Sequence, residues 1–250
     1  HHLAVEAVLT GEVQAGILVD DPRQPRMGLM RLRQRCYVAG DAADAGTVDT
    51  LRAWLVEVTI PRMKAEGYEV TGVNFSPVTW GQQIEAFFTP ERVKAVQRQH
   101  YLLDLQAAKA HPTRLPPGFA LRLADKALLE DARLQDLDDL REEMCSERAS
   151  VAEFLQKSFG IVALHGQTLA GWCLSEYNTT EACEIGIAIR PEYQRQGLAT
   201  AITLAFLDLA HQRGLKRVGW NCWQDNIPSA KTAVKAGFRL VRDHPVLFGF

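Results

Sequence analysis

The stretch from Ile185 to Thr200 constrains the fold more than any other part of the chain. Ile185, Ile187 and Ile189 alternate with small residues, the pattern of a buried strand. Arg190-Pro191 turns the chain, and Gln194-x-x-Gly197-x-Ala199 leads into a helix with Leu198, Ala201, Ile202, Ala205, Phe206 and Leu209 on one face. A small-residue loop that opens a helix leaves several amides without intrahelical acceptors. Together with the helix dipole they make a seat for an anion, typically phosphate. Taken alone, the stretch also fits a plain strand-to-helix turn of an α/β domain.

The downstream segment narrows the choice. A second strand, Arg217–Trp223, runs into Asn226-Ile227-Pro228-Ser229, and a short helix ends at Lys235-Ala236-Gly237-Phe238. This order resembles the GNAT N-acetyltransferase superfamily over roughly residues 118–250. Gln194, Gly197, Ala199, Asn226, Ser229, Gly237 and Phe238 stand at that family's spacing. The segment Asn221-Cys222-Trp223-x-x-Asn226, with Glu184-Ile185-Gly186-Ile187, also looks similar to a bacterial subgroup that includes an antibiotic self-resistance enzyme acting on zwittermicin A. The subgroup match is weaker and does not carry the substrate across.

Composition removes other classes. With 250 residues there is room for one large or two modest domains, and 47% hydrophobic with 23% charged residues is ordinary for a soluble protein. A net charge of −2 offers no basic stripe for nucleic acid. No apolar run approaches a membrane span of about 20 residues, and no signal-peptide pattern opens the chain, so a cytoplasmic location is expected. His1-His2 has the look of a tag remnant. Cys36, Cys145, Cys173, Cys183 and Cys222 form no C-x-x-C pair, so reduced thiols are expected, with neither metal nor disulfide framework.

Read in order, residues 4–40 suggest strands at Ala4–Leu9, Gly16–Val19 and Gly28–Val38. Leu51, Trp54, Leu55 and Val58 mark a helix over Thr47–Glu66, with a kink or break expected near Pro61. Strand Glu69–Phe75, a short helix through Phe88 and an extended Val93–Asp104 follow. The Pro-rich Ala107–Gly118 reads as a boundary. Beyond it come strand Phe119–Leu123, two acidic amphipathic helices from Asp125 to about Phe159, a hairpin of Ile161–Leu164 with Leu169–Tyr177, and strand Glu184–Arg190. Closing strands are expected over Arg239–Phe250.

Gly67, Gly72 and Asn74 recur at the separations of Gly214, Gly219 and Asn221, and at that offset Leu51, Trp54, Leu55 and Val58 fall on Leu198, Ala201, Ile202 and Ala205. The expectation is a divergent internal repeat. The fold class is therefore α/β with a mixed sheet, two GNAT-like halves in tandem: domain 1–106, linker 107–117, domain 118–250. At the position of Gly197 the first half carries Thr50 beside Asp49, where a Cβ and a negative charge oppose a pyrophosphate. The first half is expected to be degenerate; an unrelated α/β cap is the alternative.

The resemblance implies acetyl-CoA as cofactor. It implies that Gln194, Arg195, Gln196, Gly197, Leu198, Ala199 and Thr200 hold the pyrophosphate. Ile187, Ala188 and Ile189 would pair with the pantetheine arm, and Asn226 and Ser229 would flank it. Ser229 could instead cap its helix. An amine of pKa near 10 must lose a proton before it attacks, which calls for a base. Glu184, opening the central strand, is the first candidate and Glu176 the second, with a solvated or ion-paired carboxylate as the bland reading of each. A one-residue bulge would substitute Cys183 for Glu184. The family's usual Tyr falls on Ala233 here, so Tyr177, Cys222, His244 or water would protonate the thiolate. Trp220 and Trp223 are expected to pack on opposite faces, one of them a candidate wall of the acceptor pocket.

The favoured function is acetyl transfer to the amine of a small molecule, an antibiotic or an amino metabolite, by a monomer or homodimer with no nucleic-acid or membrane partner. An acyl-CoA sensor without turnover and an aminoacyl transferase of the peptidoglycan cross-bridge type are the alternatives.

Overall fold

The computed structural model describes residues 2–41, 45–69, 71–107 and 114–249. It divides into two compact units: His1–Glu12 with Gln99–Arg242, and Val13–Arg98 with Asp243–Phe250. Ala4–Leu9, expected as a strand, lies in helix α1 (Leu3–Leu9). Leu3, Ala4 and Ala7 are its buried residues, and their three- and four-residue spacing is helical rather than alternating.

The Val13–Arg98 unit begins with β1 (Gly16–Val19), β2 (Met27–Leu32) and β3 (Arg35–Gly40). The single strand expected over Gly28–Val38 is thus a hairpin, turned at Arg33, whose φ is +51°. Helix α2 (Ala45–Arg52) continues through a π-helical stretch, Ala53–Thr59, into α3 (Ile60–Ala65). Pro61 does not break this helix. The wider turns just before it absorb the donor that proline lacks. Then follow β4 (Thr71–Ser76), α4 (Trp80–Glu85) and β5 (Val93–Asp104). Leu29, Val38, Leu51, Leu55, Met63, Val73 and Trp80 share one core.

In the other unit β6 (Phe119–Leu123) precedes three short helices, not two: α5 (Lys126–Leu129), α6 (Asp138–Met144) and α7 (Val151–Lys157). The side chains of Asp125 and Ser150 accept amides of the first turns of α5 and α7, so each capping residue restarts the helix. Strands β7 (Gly160–His165), β8 (Thr168–Glu176) and β9 (Ala182–Ile189) lead to α8 (Leu198–Gln212), β10 (Arg217–Trp223), α9 (Ile227–Lys235) and β11 (Arg239–Gly249). The closing strands are one long strand. The sheet order is β5-β10-β9-β8-β7-β6 here and β1-β2-β3-β4-β11 in the Val13–Arg98 unit, with a parallel pair in each, β9–β10 and β3–β4.

Cys183 and Ile185 of β9 pack with Leu198, Ile202 and Phe206 of α8 on one face. Trp172 and Leu174 of β8 pack with Leu128, Leu140, Met144 and Phe154 on the other. Burial of side chains this size, worth about 1.5–3 kcal/mol each, fixes which face β9 turns to α8.

The two chain halves repeat. At the offset relating Gly67 to Gly214, Leu51, Leu55 and Met63 meet Leu198, Ile202 and Ala210, all buried, and α4 and α9 begin at matching positions. Both glycines close a helix with positive φ, +89° and +82°. By the same offset α1 matches α7. The compact units nevertheless do not follow the 106 and 118 boundaries, because α1 clusters with the later unit and the divisions fall inside β5 and β11. The linker expected over 107–117 lies largely outside the described residues. Among the described residues, no helix is long and apolar enough to cross a membrane.

Candidate active site

Strands β9 and β10 run parallel for three rungs only: Ala182 with Arg217, Cys183 with Val218, Glu184 with Gly219. β9 stays paired with β8 from Glu176–Glu184 to Gly171–Ile189 without a register shift, so it is β10 that departs. Beyond Gly219, the edges of Ile185–Ile189 and Trp220–Trp223 no longer satisfy each other, and a third extended chain can pair there.

The loop before α8 sits at the open end of this gap. Its backbone is left-handed at Arg195 (φ +61°) and at Gly197 (φ +83°, ψ 0°), the helix N-cap. Such turns gather successive amides into a concave anion seat. Among the described residues, the first backbone donation into α8 is Ala201 N–H to Gly197 O, which leaves the amides of residues 195–200 without protein acceptors. Gln194 Nε2 donates to Ile189 O (2.9 Å) and Gln196 Nε2 to Glu192 O (3.3 Å), which brace the loop from within. A Cβ added at Gly197 would meet nothing within 4 Å, so approach to the amides is open.

A cleft of about 470 Å³ collects ten of the residues expected at a cofactor: Ile187, Ile189, Gln194, Arg195, Gly197, Leu198, Ala199, Thr200, Asn226 and Ser229. Ala188 does not line it and packs against the α5–α7 side, and Gln196 is turned back onto its own loop. Tyr193, Trp220, Pro228, Thr232 and Lys235 complete the wall. Sequence reasoning had no role for Lys235, although a cation in the last turn of the helix after Asn226 was a usable signal. Asn226 is the residue that caps α9, its Oδ1 accepting from Ser229 N (3.1 Å), so only its Nδ2 remains as a donor. Ser229 is not the cap. Its Oγ accepts from the indole Nε1 of Trp220 (3.0 Å), which holds that buried ring against the cleft. Ala233, where the family has Tyr, is fully buried in the core.

The opposite face of β9 carries Glu184, buried, opposite Glu176 across β8. The register has no bulge here, so Cys183 stays on the α8 face, and burial pushes its thiol pKa well above the ordinary range. Cys183 is therefore no base. A Cβ at Gly186 would collide with Glu176 Oε1 and lie 3.6 Å from Glu143 Oε1. The Glu176 carboxylate thus folds over Gly186, on the gap side of the last rung. Gly219 is covered in the same way: its Cβ position is 3.0 Å from Glu184 Cγ, 3.1 Å from Leu3 Cδ1 and 3.7 Å from His100 Cε1. Tyr177 lies past the end of β8, buried, with φ +47°, on the side of the rung away from the gap. Cys222 is buried in the core beside Trp220, and His244 belongs to the other unit. Nothing near it in the sequence marks His100 as part of this face; only the adjacency of β5 and β10 brings it there.

The matching part of the other unit is closed. There β3 and β4 keep five rungs, from Arg35–Gly72 to Ala39–Ser76. Residues 45–52 are already helical, and Thr50 Oγ1 donates back to Gly46 O (2.8 Å), so among the described residues no amide seat like that before α8 forms at this place.

Residues 2–247 match the GNAT acetyltransferase family. An uncharacterised N-acetyltransferase of Bacillus subtilis, YdfB, is 27% identical over 245 residues, covering 98% of this chain and 89% of that protein. Among solved structures, a GCN5-related N-acetyltransferase-like protein from Streptococcus suis superposes with a TM-score of 0.68 at 19% identity, over 98% of this chain and 93% of its own. A tandem GNAT protein from the clavulanic acid biosynthesis pathway gives 0.61 at 13%, over 99% and 87%. With its two GNAT-like halves, one open along β9 and β10 and one closed, the chain belongs to the GNAT acetyltransferase family and is an N-acetyltransferase.

Proposed function

We propose that this chain transfers the acetyl group of acetyl-CoA to the amine of a small molecule, within the unit that holds β9 and β10. The observation that carries the reading is the three-rung ladder opening into a gap whose mouth is a cradle of unsatisfied amides. The residues fit a diphosphate-bearing extended cofactor. The amides of residues 195–200 suit the diphosphate, with Arg195 and Lys235 as cations at the rim. The edge of Ile187–Ile189 and Asn226 Nδ2 suit an amide-containing arm. When bound, acetyl-CoA supplies a thioester as the acyl donor.

Glu184 and Glu176 act on the other side of β9. The Glu176 carboxylate lies over Gly186 and the Glu184 side chain over Gly219, and two carboxylates so placed at the end of the ladder suit a cationic amine, which must give up a proton before its nitrogen lone pair can attack. Glu184, the more buried of the two, accepts that proton, and Glu176 over Gly186 holds the ammonium in place. Thiol release measured across a panel of small amines tests this, with acetyl-CoA binding followed by calorimetry. Glu184→Gln should bind acetyl-CoA like the wild type and lose about 100-fold or more in kcat. Normal turnover in that variant would reject Glu184 as the base.

A further inference from the structure

His100 is buried on β5, and its Nδ1 lies 3.2 Å from Asn221 Oδ1. An amide oxygen only accepts, so this contact puts the ring proton on Nδ1 and makes Nε2 the basic nitrogen. Asn221 stands two residues beyond the last rung of β10, on the face that Gly219 shares with Glu184. It therefore holds the ring where the strands begin to part. His100 Cε1 and Glu184 Cγ converge on Gly219, at 3.7 and 3.0 Å from the place a Cβ would take. Nε2 is bonded to Cε1 and so occupies the same corner. A side chain at residue 219 would separate the two groups.

Three carboxylates stand on the elements that pack about the end of the β9–β10 ladder. β9 contributes Glu184, β8 contributes Glu176 and α6 contributes Glu143. The cation on β10, Arg217, is already near Glu6 of α1 (Nη2–Oε1 3.6 Å). Carboxylates therefore outnumber cations among these groups. A buried carboxylate that keeps the proton it takes cannot serve a second turnover.

Resting on the proposed acetyl transfer, we propose that His100, fixed by Asn221, is a positioning residue for Glu184 and resets it by taking its proton. When an ammonium becomes an amide its nitrogen sheds two protons, the N–C bond forms and the C–S bond breaks. One proton ends on the departing thiol. The other passes from the Glu184 carboxyl to His100 Nε2 and then to solvent, so charge and atoms balance without a further reactant.

The test compares wild type with His100→Gln, Asn221→Ala and, as a check on folding, His100→Asn. Nitrogen-15 NMR of the ring is expected to show the Nδ1–H tautomer in the cofactor-free wild type and a shift toward Nε2–H in Asn221→Ala. In turnover, His100→Gln should lower kcat by about tenfold or more, leave the KM for the amine within about twofold, and leave acetyl-CoA binding unchanged. Asn221→Ala should fall between the two. Unchanged kcat in folded His100→Gln or His100→Asn, or an Nε2–H tautomer in the wild type, overturns the role of His100 alone. Failure of the wild type to bind acetyl-CoA overturns the underlying reading and this proposal with it.

Discussion

Gly219 pairs with Glu184 in the last rung that joins β10 to β9. On one side of that rung the sheet is closed and the core continuous; on the other the strands part and, among the described residues, the amides before α8 have no protein acceptor. A residue without a side chain lies opposite the buried Glu184, so the Glu184 side chain can lie across the strand that leaves.

The seat before α8 depends on Gly197. Its φ of +83° costs an L-residue about 1–2 kcal/mol, while the space around it is open. Gly197→Asp should therefore fold, with a drop of that size in urea-unfolding free energy, and should lose acetyl-CoA affinity by about 100-fold or more as a carboxylate enters an anion site. Calorimetry and denaturation on the same sample check both halves.

Asn226 separates two roles. Its Oδ1 caps α9 and its Nδ2 remains a donor at the cleft. Asn226→Asp keeps the cap, so stability should change by less than about 0.5 kcal/mol while acetyl-CoA binding weakens. Ser229→Ala should do the reverse. It strips the acceptor from the buried Trp220 indole N–H and should cost about 1–3 kcal/mol in thermal or urea unfolding.

Ala233 is no vacancy for a catalytic tyrosine. Its side chain is fully buried beneath α9, so Ala233→Tyr overfills the core. A loss of about 1–3 kcal/mol or more is expected, with no gain in kcat.

Burial sets the thiol chemistry. The Cys36 thiol is pushed up to about 12, and those of Cys173 and Cys183 are also raised, all chiefly by desolvation. A raised folded-state value favours the protonated form. Its stabilising effect is complete below the unfolded thiol's pKa and is lost as pH climbs from about 9 toward 12. At pH 8 the folded protein should react slowly with a disulfide reagent at these three sites, while half-buried Cys145 reacts readily and denaturant releases the rest.

Much of this was legible in the chain itself. β5, β6 and β10 cover the extended Val93–Asp104 and the strands Phe119–Leu123 and Arg217–Trp223 read from the sequence, and the cleft gathers most of the loop and strand residues that the family resemblance implied. Local pattern failed at α1, where a few small apolar residues fit either period, and over 125–159, where two helices were expected and there are three, two of them started by capping residues. Roles set by long-range contact were out of reach. The Ser229–Trp220 bond and the place of His100 beside Asn221 depend on strands and helices distant in sequence or joined only by the fold. The closure of β3 onto β4 could not be read either, although Thr50 and Asp49 already spoke against a phosphate there.

The central claim is that one half of the chain is open to the cofactor and the other is shut. Titration of the intact protein with acetyl-CoA in a calorimeter tests it most directly. The account predicts saturable binding with a stoichiometry of one per chain, abolished by Gly197→Asp. No heat of binding, two sites per chain, or binding that survives Gly197→Asp would contradict it.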